Sequence, residues 1–156
     1  MIIEIPKIGP DGSLYEGDED ATVVGLDGAP GVRPKGPLRY RLFAQIASRR
    51  LIVSGRVDWP VSLQCGRCAC FFSTSASDSS FLRDYALRDG QVEVDVTDDL
   101  REAVLLALPN HPLCRESCAG RCPQCGKNLN SGRCGCRPPD APGVWSGLDG
   151  LKLDGG

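Results

Sequence analysis

The chain has 156 residues and a formal net charge of −2 at pH 7, with 19 Gly, 12 Pro and 9 Cys. This length suits one domain, or one domain with a small appended module. The net charge gives no overall signal for a nucleic-acid partner, although its sign alternates along the chain. Acidic residues dominate 1–27 and 78–102, whereas basic residues dominate 28–57 and 114–137.

The N-terminal sequence lacks the basic and apolar segments of a secretory signal peptide. The longest apolar run, 103–108, is much shorter than the roughly 20 residues of a membrane span. These features predict a cytoplasmic protein with no membrane partner. In that compartment a cysteine-rich pattern is more often metal-binding than disulfide-bonded, and the odd number of nine cysteines also argues against a complete disulfide framework.

The first 37 residues predict little regular structure. Residues 1–8 suit a short edge strand interrupted by Pro6. Residues 9–37 are rich in Gly, Pro and Asp and predict either a loop or an ordered excursion whose place in the fold the sequence does not give; only Val23, Val24 and Leu26 favour a strand.

Residues 38–64 carry the clearest pattern of regular structure. Apolar and polar residues alternate before and after a three-residue break at 48–50. This period of two predicts an antiparallel hairpin with one buried face. Pro60 predicts an edge position or a bulge near the end of the second strand. The exposed face of the hairpin is expected to carry Arg39, Arg41 and Arg56.

The next segment predicts further strands and then the principal helix. A strand is possible at 70–82, and the alternation of Val92, Val94 and Val96 predicts another. Apolar residues at helical spacing predict a helix near 98–108, which Pro109 ends.

The predicted fold class is therefore α+β, a mainly antiparallel β-body with one principal helix and a C-terminal zinc-knuckle module. The expected divisions are a β-rich body at 1–109, a Cys-rich zinc module docked on it at 110–137, and a flexible tail at 138–156.

Six of the nine cysteines fall within 114–136, a segment with almost no apolar side chains to bury. A tetrahedral zinc site takes four thiolate or imidazole ligands, and two of them commonly come from one tight turn. Four cysteine pairs at short spacing predict two zinc sites, with the ligands Cys65, Cys68, Cys114, Cys118, Cys122, Cys125, Cys134 and Cys136.

Two partitions of these eight cysteines are open. In the favoured one, Cys122, Cys125, Cys134 and Cys136 form a compact unit, and the other four make a long-range site joining the strand end to the helix end. The rival partition joins Cys114, Cys118, Cys122 and Cys125, and it leaves Cys65, Cys68, Cys134 and Cys136 as the second group. Zinc is favoured for an all-thiolate tetrahedral set, with an iron–sulfur cluster as the alternative. Cys70 is left over in both partitions.

These cysteines favour a structural role over a catalytic one. Four-cysteine zinc sites are commonly closed, and the sequence shows no open coordination position with a nearby base. His111, the only histidine, is interpreted as a helix-end residue. A thiol–disulfide role for Cys65 and Cys68 would require a helix N-terminus, whereas this pair follows a strand pattern.

Three motifs together resemble one known family. They are Val61-Ser-Leu-Gln-Cys65-Gly-Arg67-Cys68, then Leu106-Ala-Leu-Pro109 leading to Pro112-Leu-Cys114, and finally Cys118-Ala-Gly-Arg-Cys122-Pro-Gln-Cys125-Gly-Lys-Asn-Leu-Asn130 followed by Cys134-x-Cys136. Their order and spacing resemble the YceD family, the large ribosomal RNA subunit accumulation proteins, over about residues 38–136. The sequence after Cys136 departs from the family because it lacks the expected basic helix.

The resemblance implies a bacterial cytoplasmic, non-enzymatic factor for large ribosomal subunit biogenesis that supports 23S rRNA accumulation. It implies no catalytic residues and no small-molecule substrate. The implied partner is ribosomal RNA or a precursor of the large subunit. The alternative is a zinc-stapled protein–protein adaptor that binds a ribosomal protein or an assembly enzyme.

The basic residues are the candidate RNA contacts, because clustered Lys and Arg neutralise phosphates. Phe43 is the one stacking candidate in the hairpin, so base-specific reading is not expected. In the alternative interpretation, the arginines are solvated and offset by the acidic segments. The candidate residues are Arg39, Arg41, Arg49, Arg50, Arg56, Arg67, Arg121, Lys127 and Arg133, with Arg115 and Arg137 nearby.

Overall fold

The computed structural model describes residues 1–137, so the predicted tail at 138–156 lies outside the described residues. These residues form seven strands and one α-helix, together with short 3-10 turns. The content confirms the predicted α+β class. In chain order the elements are β1 (Ile2–Glu4), β2 (Ser13–Glu19), β3 (Val32–Pro34), β4 (Leu38–Ala47), β5 (Arg50–Gln64), β6 (Phe71–Ala86), β7 (Glu93–Asp95) and α1 (Thr97–Leu106).

The predicted hairpin is β4 and β5, which pair antiparallel from Arg39 opposite Asp58 to Ala47 opposite Arg50. The turn holds two residues rather than the expected three. Ser48 and Arg49 both have positive φ, 48° and 63°, as a tight hairpin turn requires. Alternate side chains of the two strands are fully buried, namely Leu38, Leu42, Ala44, Leu51, Val53, Val57, Trp59 and Val61.

The main sheet is antiparallel and is organised around β5. On one side β5 pairs with β4, which in turn pairs with β2 at the edge. On its other side β5 pairs with β6 along nearly its whole length. The register between β5 and β6 shifts at a bulge between Gly55 and Val57. A Cβ atom on Gly55 would lie 2.2 Å from the carbonyl oxygen of Arg41, so this close approach requires glycine.

Pro60 lies inside the sheet, so the expected edge or bulge position is wrong. It pairs with Ser75 of β6. On its other side the pairing with β4 ends at Asp58, and the pairing with β3 starts at Val61. The carbonyl of Pro60 accepts a hydrogen bond from the Lys35 N–H at 3.0 Å. The N–H that Pro60 lacks lies on the same side as this carbonyl, at the break between the β3 and β4 ladders and outside the residue pairs of either one.

The loop predicted for 9–37 is wrong in part. It contains β2 and β3, and Val23 and Val24 lie in a 3-10 turn, Ala21–Val24, rather than in a strand. The Asp20 side chain accepts a hydrogen bond from the Thr22 N–H at 2.8 Å and so caps this turn. The side chains of β2 are half-buried or exposed, and the strand depends on pairing with β4.

The core lies between the main sheet and a cover made of α1 and the small β1–β7 sheet. Its cover side includes the buried side chains of Ile3, Val96, Leu100 and Val104. The Arg83 Nε group on β6 donates to Asp99 on α1 at 2.9 Å, which fixes the helix against the sheet. No helix within 1–137 is long and apolar enough to cross a membrane.

Candidate metal centre

Four thiols from two distant segments meet at the edge of the core. Cys65 and Cys68 follow the end of β5, and Cys114 and Cys118 follow α1. All four Sγ atoms lie within 4.8 Å of one another, and this group is called site 1. The Sγ atoms of Cys65 and Cys118 are 3.8 Å apart, and those of Cys68 and Cys114 are 3.9 Å apart. The structure thus assembles the long-range group of the favoured partition.

Backbone hydrogen bonds shape the turn that carries the first two thiols of site 1. The Ala69 N–H donates to the Cys65 carbonyl, and the Cys65 N–H donates to the Cys70 carbonyl, each at 2.9 Å. Ala69 has a φ of 58°, so the chain reverses tightly after Cys68. The Gly66 N–H donates to the Pro112 carbonyl at 2.8 Å and ties the turn to the segment after α1.

The second group, called site 2, contains Cys122, Cys125, Cys134 and Cys136, whose Sγ atoms also lie within 4.8 Å of one another. The Gly126 N–H donates to the Cys122 carbonyl at 2.9 Å. Gly126 has a φ of 72°, as expected for the position after the second cysteine of a Cys-x2-Cys turn. The structure does not form the groups of the rival partition, and Cys70 belongs to neither site.

The pKa values of the thiols differ strongly within each site. Backbone N–H groups, first that of Cys114 and then that of Cys68, lower the pKa of Cys65 to about 6. The N–H groups of Cys125 and Gln124 likewise lower the pKa of Cys122 to about 6. Hydrogen bonding with Cys125, followed by burial, raises the pKa of Cys136 to about 12.

These pKa shifts indicate that each site needs a positive charge in order to hold four thiolates. One thiolate forms readily, but further negative charges within 4.8 Å of it repel one another. A divalent cation removes that repulsion, and thiolates are ligands that Zn²⁺ prefers. The two groups could therefore each hold a metal ion, and their donor sets fit zinc.

Two asparagines near site 1 were missed in the sequence. The Asn130 Nδ2 group donates to the Cys118 Sγ at 3.3 Å, and this bond is the main cause of the lowered pKa of Cys118. The Asn128 Nδ2 group donates to the Cys70 Sγ at 3.2 Å. The only sequence feature that pointed to these asparagines was their position in the loop between Cys125 and Cys134. The cysteine spacing alone does not show that this loop reaches site 1.

The hairpin arginines among the candidate RNA contacts lie beside carboxylates. The Nε atom of Arg41 is 2.6 Å from Glu16, and that of Arg50 is 2.7 Å from Asp84. Such exposed ion pairs contribute about 1 kcal/mol at most, so a phosphate could displace the carboxylate. The other pairs are Arg39 with Asp18, Arg56 with Asp58, and Arg49 with Asp89.

The basic residues around the two sites contact backbone carbonyls instead. Arg67 donates to the Glu116 carbonyl at 2.9 Å, and Arg121 donates to the Cys68 carbonyl at 2.7 Å. Lys127 donates to the Arg133 carbonyl at 2.9 Å. These neutral acceptors leave the positive charges in place. A divalent ion with four thiolates keeps two net negative charges, which these cations would partly offset.

Comparisons with known proteins support the resemblance seen in the motifs. Residues 82–152 match the sequence model of a family described as large ribosomal RNA subunit accumulation protein YceD. This stretch, which includes α1 and six of the cysteines, is similar to the YceD family, and the match agrees with the resemblance predicted from the motifs.

Among curated proteins, the chain is similar to uncharacterized proteins of Mycobacterium bovis and Mycobacterium tuberculosis. Each is 31% identical over 104 residues, in a match that covers 58% of this chain and 50% of the relative. The chain therefore spans about half the length of the curated relatives it matches. No solved structure matches the chain.

Proposed function

We propose that this chain is a non-enzymatic factor for large ribosomal subunit biogenesis in the bacterial cytoplasm, where it supports the accumulation of 23S rRNA. The observation that carries the proposal is the match of residues 82–152 to the YceD family, whose description names the accumulation of large-subunit ribosomal RNA. The proposed partner is ribosomal RNA or a precursor of the large subunit.

Two structural zinc ions are part of this proposal. Site 1 and site 2 each offer four thiols within 4.8 Å, and a site of four cysteines leaves no coordination position for a substrate. Zinc at site 1 would crosslink the end of β5 to the segment after α1. We therefore propose a body at 1–109 and a zinc module at 110–137 that is fastened to it by site 1.

The proposed RNA contact lies mainly on the module. Within residues 1–137, Arg67, Arg121 and Lys127 form no ion pair, and their hydrogen bonds go to backbone carbonyls, which do not neutralise their charge. Arg133 is exposed beside them. The hairpin arginines form a secondary contact, because each must first give up a carboxylate partner. Phosphate contacts of this kind predict binding that weakens steeply with salt.

Sedimentation of the tagged full chain tests this function. We expect it to co-sediment with precursor large subunits in a sucrose gradient at low salt, and a deletion strain to accumulate less 23S rRNA. The double variant Lys127→Glu/Arg133→Glu should lose more co-sedimentation than the matched pair Arg39→Glu/Arg41→Glu. Migration free of ribosomal particles, together with normal 23S rRNA levels in the deletion strain, would contradict the proposal.

A second candidate function is a zinc-stapled adaptor that binds a ribosomal protein or an assembly enzyme. An apolar row on the solvent face of the main sheet favours it. Leu14, Phe43 and Leu82 occupy one cross-strand row, with Ser54 between the last two. Their exposed fractions are 54%, 38% and 59%. Exposed apolar rows of this kind are typical of protein contacts.

Capture of partners on the tagged full chain distinguishes the two functions. An adaptor should retain a ribosomal or assembly protein after nuclease treatment and at high salt, and Phe43→Ser should weaken that capture. An RNA-binding factor should lose its partners under either treatment, and Phe43→Ser should have little effect.

A further inference from the structure

The loop between Cys125 and Cys134 of site 2 extends across to site 1. At its far end, the Asn130 Nδ2 group lies 3.3 Å from the Sγ atom of Cys118. A residue between two ligands of site 2 therefore donates a hydrogen bond to a ligand of site 1. The two sites are thus connected through one side chain.

The orientation of Asn130 is set by a network of hydrogen bonds. Its Oδ1 atom accepts from the Ala119 N–H at 3.0 Å and from Arg115 Nη2 at 2.8 Å. Its Nδ2 group also donates to Asn128 Oδ1 at 2.8 Å. Because both donors reach the oxygen, the amide nitrogen must face Cys118. The contact with the thiol is therefore built by the surrounding residues.

The backbone of the loop is held at site 1 and at site 2. The Leu129 N–H donates to the Gly120 carbonyl at 2.9 Å, in the segment directly after Cys118. The Cys122 N–H donates to the Lys127 carbonyl at 2.9 Å and fixes the start of the loop beside site 2. The loop carries no fully buried apolar side chain, so its order depends on these hydrogen bonds and on the two site 2 cysteines that bound it.

We infer that Asn130 is a positioning residue that couples the two metal sites. A metal ion at site 2 orders the loop, and the ordered loop places the Asn130 amide on a thiolate of site 1. The inference rests on the proposed metal binding. Loss of a hydrogen bond to a metal ligand typically lowers metal affinity 10- to 100-fold. Because coupling is reciprocal, metal at site 1 favours metal at site 2 by the same factor.

Zinc affinities of the full chain, measured by chelator competition, test the coupling. Asn130→Asp removes the donor but retains an acceptor for Ala119 and Arg115, and Asn130→Ala removes both. We expect either change to lower the affinity of site 1 at least tenfold. The matched control is Asn110→Asp, since Asn110 is exposed and makes no side-chain hydrogen bond found within 1–137. This control should keep the wild-type affinity.

The double variant separates coupling from a local effect on Cys118. Cys134→Ser disrupts site 2, and we expect it to lower the affinity of site 1 about as much as Asn130→Ala does. Adding Asn130→Ala to Cys134→Ser should then lower it little further. With Co²⁺ as the probe, the thiolate-to-metal absorption band of site 1 should shift in the Asn130 variants but not in Asn110→Asp.

Two results would overturn the coupling while leaving the zinc proposal intact. One is an unchanged site 1 affinity and Co²⁺ spectrum in both Asn130 variants of a chain that binds two zinc ions. The other is an equal loss from Asn130→Ala with and without Cys134→Ser, because the effect of Asn130 would then not depend on site 2. A wild-type chain that binds no metal would overturn both the coupling and the zinc proposal.

Discussion

Replacement of Cys68 by Ser tests whether site 1 fastens the module to the body. Cys68 is only 1% exposed and belongs to a small buried cluster with Cys65 and Cys118. That cluster is separate from the main core, which includes Trp59 and Leu100. The substitution removes one of four ligands without removing a side chain of the main core. We therefore expect the module to detach while the body stays folded.

The size of the expected effect follows from the hydrogen bonds that join the body to the module apart from the metal site. Five hydrogen bonds join the turn at 65–68 to the module. The Gly66 N–H donates to Pro112, the Arg67 side chain donates to the carbonyls of Glu116 and Cys118, and Arg121 donates from its N–H to Arg67 and from its Nε to Cys68. Together they contribute about 5 kcal/mol, at about 1 kcal/mol each. Structural zinc contributes on the order of 10 kcal/mol in small peptides. Without the ion, the remaining bonds are too weak to keep the module in place.

Amide hydrogen exchange and zinc content provide the assay. In Cys68→Ser we expect the zinc content to fall from two ions per chain to one. Exchange should become at least about a thousandfold faster at Gly66 and Arg121, in line with the loss of about 5 kcal/mol, whereas amides in the centre of β4 and β5 should stay protected. Cys70→Ser is the matched control, because Cys70 belongs to neither site. Two zinc ions and unchanged exchange in Cys68→Ser would refute the reasoning.

Three further predictions concern the body and are measured as free energies of unfolding in urea. Gly55→Ala should destabilise the body by more than about 2 kcal/mol, because the Cβ atom of the alanine would lie 2.2 Å from the Arg41 carbonyl oxygen. A change below about 0.5 kcal/mol would contradict the pairing of β4 with β5 at this position. Leu100→Ala should lower the free energy of unfolding by about 2–5 kcal/mol, because Leu100 is 0% exposed. Leu82 is 59% exposed, so Leu82→Ala should change this free energy by no more than about 0.5 kcal/mol. The hydrogen bond from Arg56 is the main cause that holds the pKa of Asp58 below its ordinary value of 3.8. The ionised carboxylate therefore stabilises the fold above pH 3.8. This contribution is lost as the pH falls below that value. Asp58→Asn should then cost up to about 1 kcal/mol at pH 7 and progressively less as the pH is lowered below 3.8. Chelator is present throughout, and a cost that does not change with pH would contradict this origin.

The hairpin and the grouping of the cysteines were predictable because each depends on local pattern. The alternation in 38–46 and 51–64 places every second side chain on one face, whatever the rest of the chain does. The short spacing of Cys122, Cys125, Cys134 and Cys136 permits a closed group without help from elsewhere. The remaining four cysteines were then assigned to the long-range group, which the structure also assembles.

Other elements were predictable only in part or not at all, because they depend on partners far away in the sequence. The Ser-rich centre of β6, residues 73–80, has a weak intrinsic preference for a strand. The whole strand nevertheless extends from Phe71 to Ala86, because it pairs with β5. The same holds for β2, which depends on β4. The arginine–carboxylate pairs follow from strand register, which places Arg39 and Arg41 opposite Asp18 and Glu16. Alternating residues alone do not specify that register.

The number of zinc ions bound per chain tests the central claim most directly. Elemental analysis of the purified full chain, combined with native mass spectrometry, should find two zinc ions in the wild type. Cys70→Ser should also bind two, because its thiol lies outside both sites. Chains with an intact fold and no bound metal, or with iron and sulfide in place of zinc, would contradict the account of two structural zinc sites.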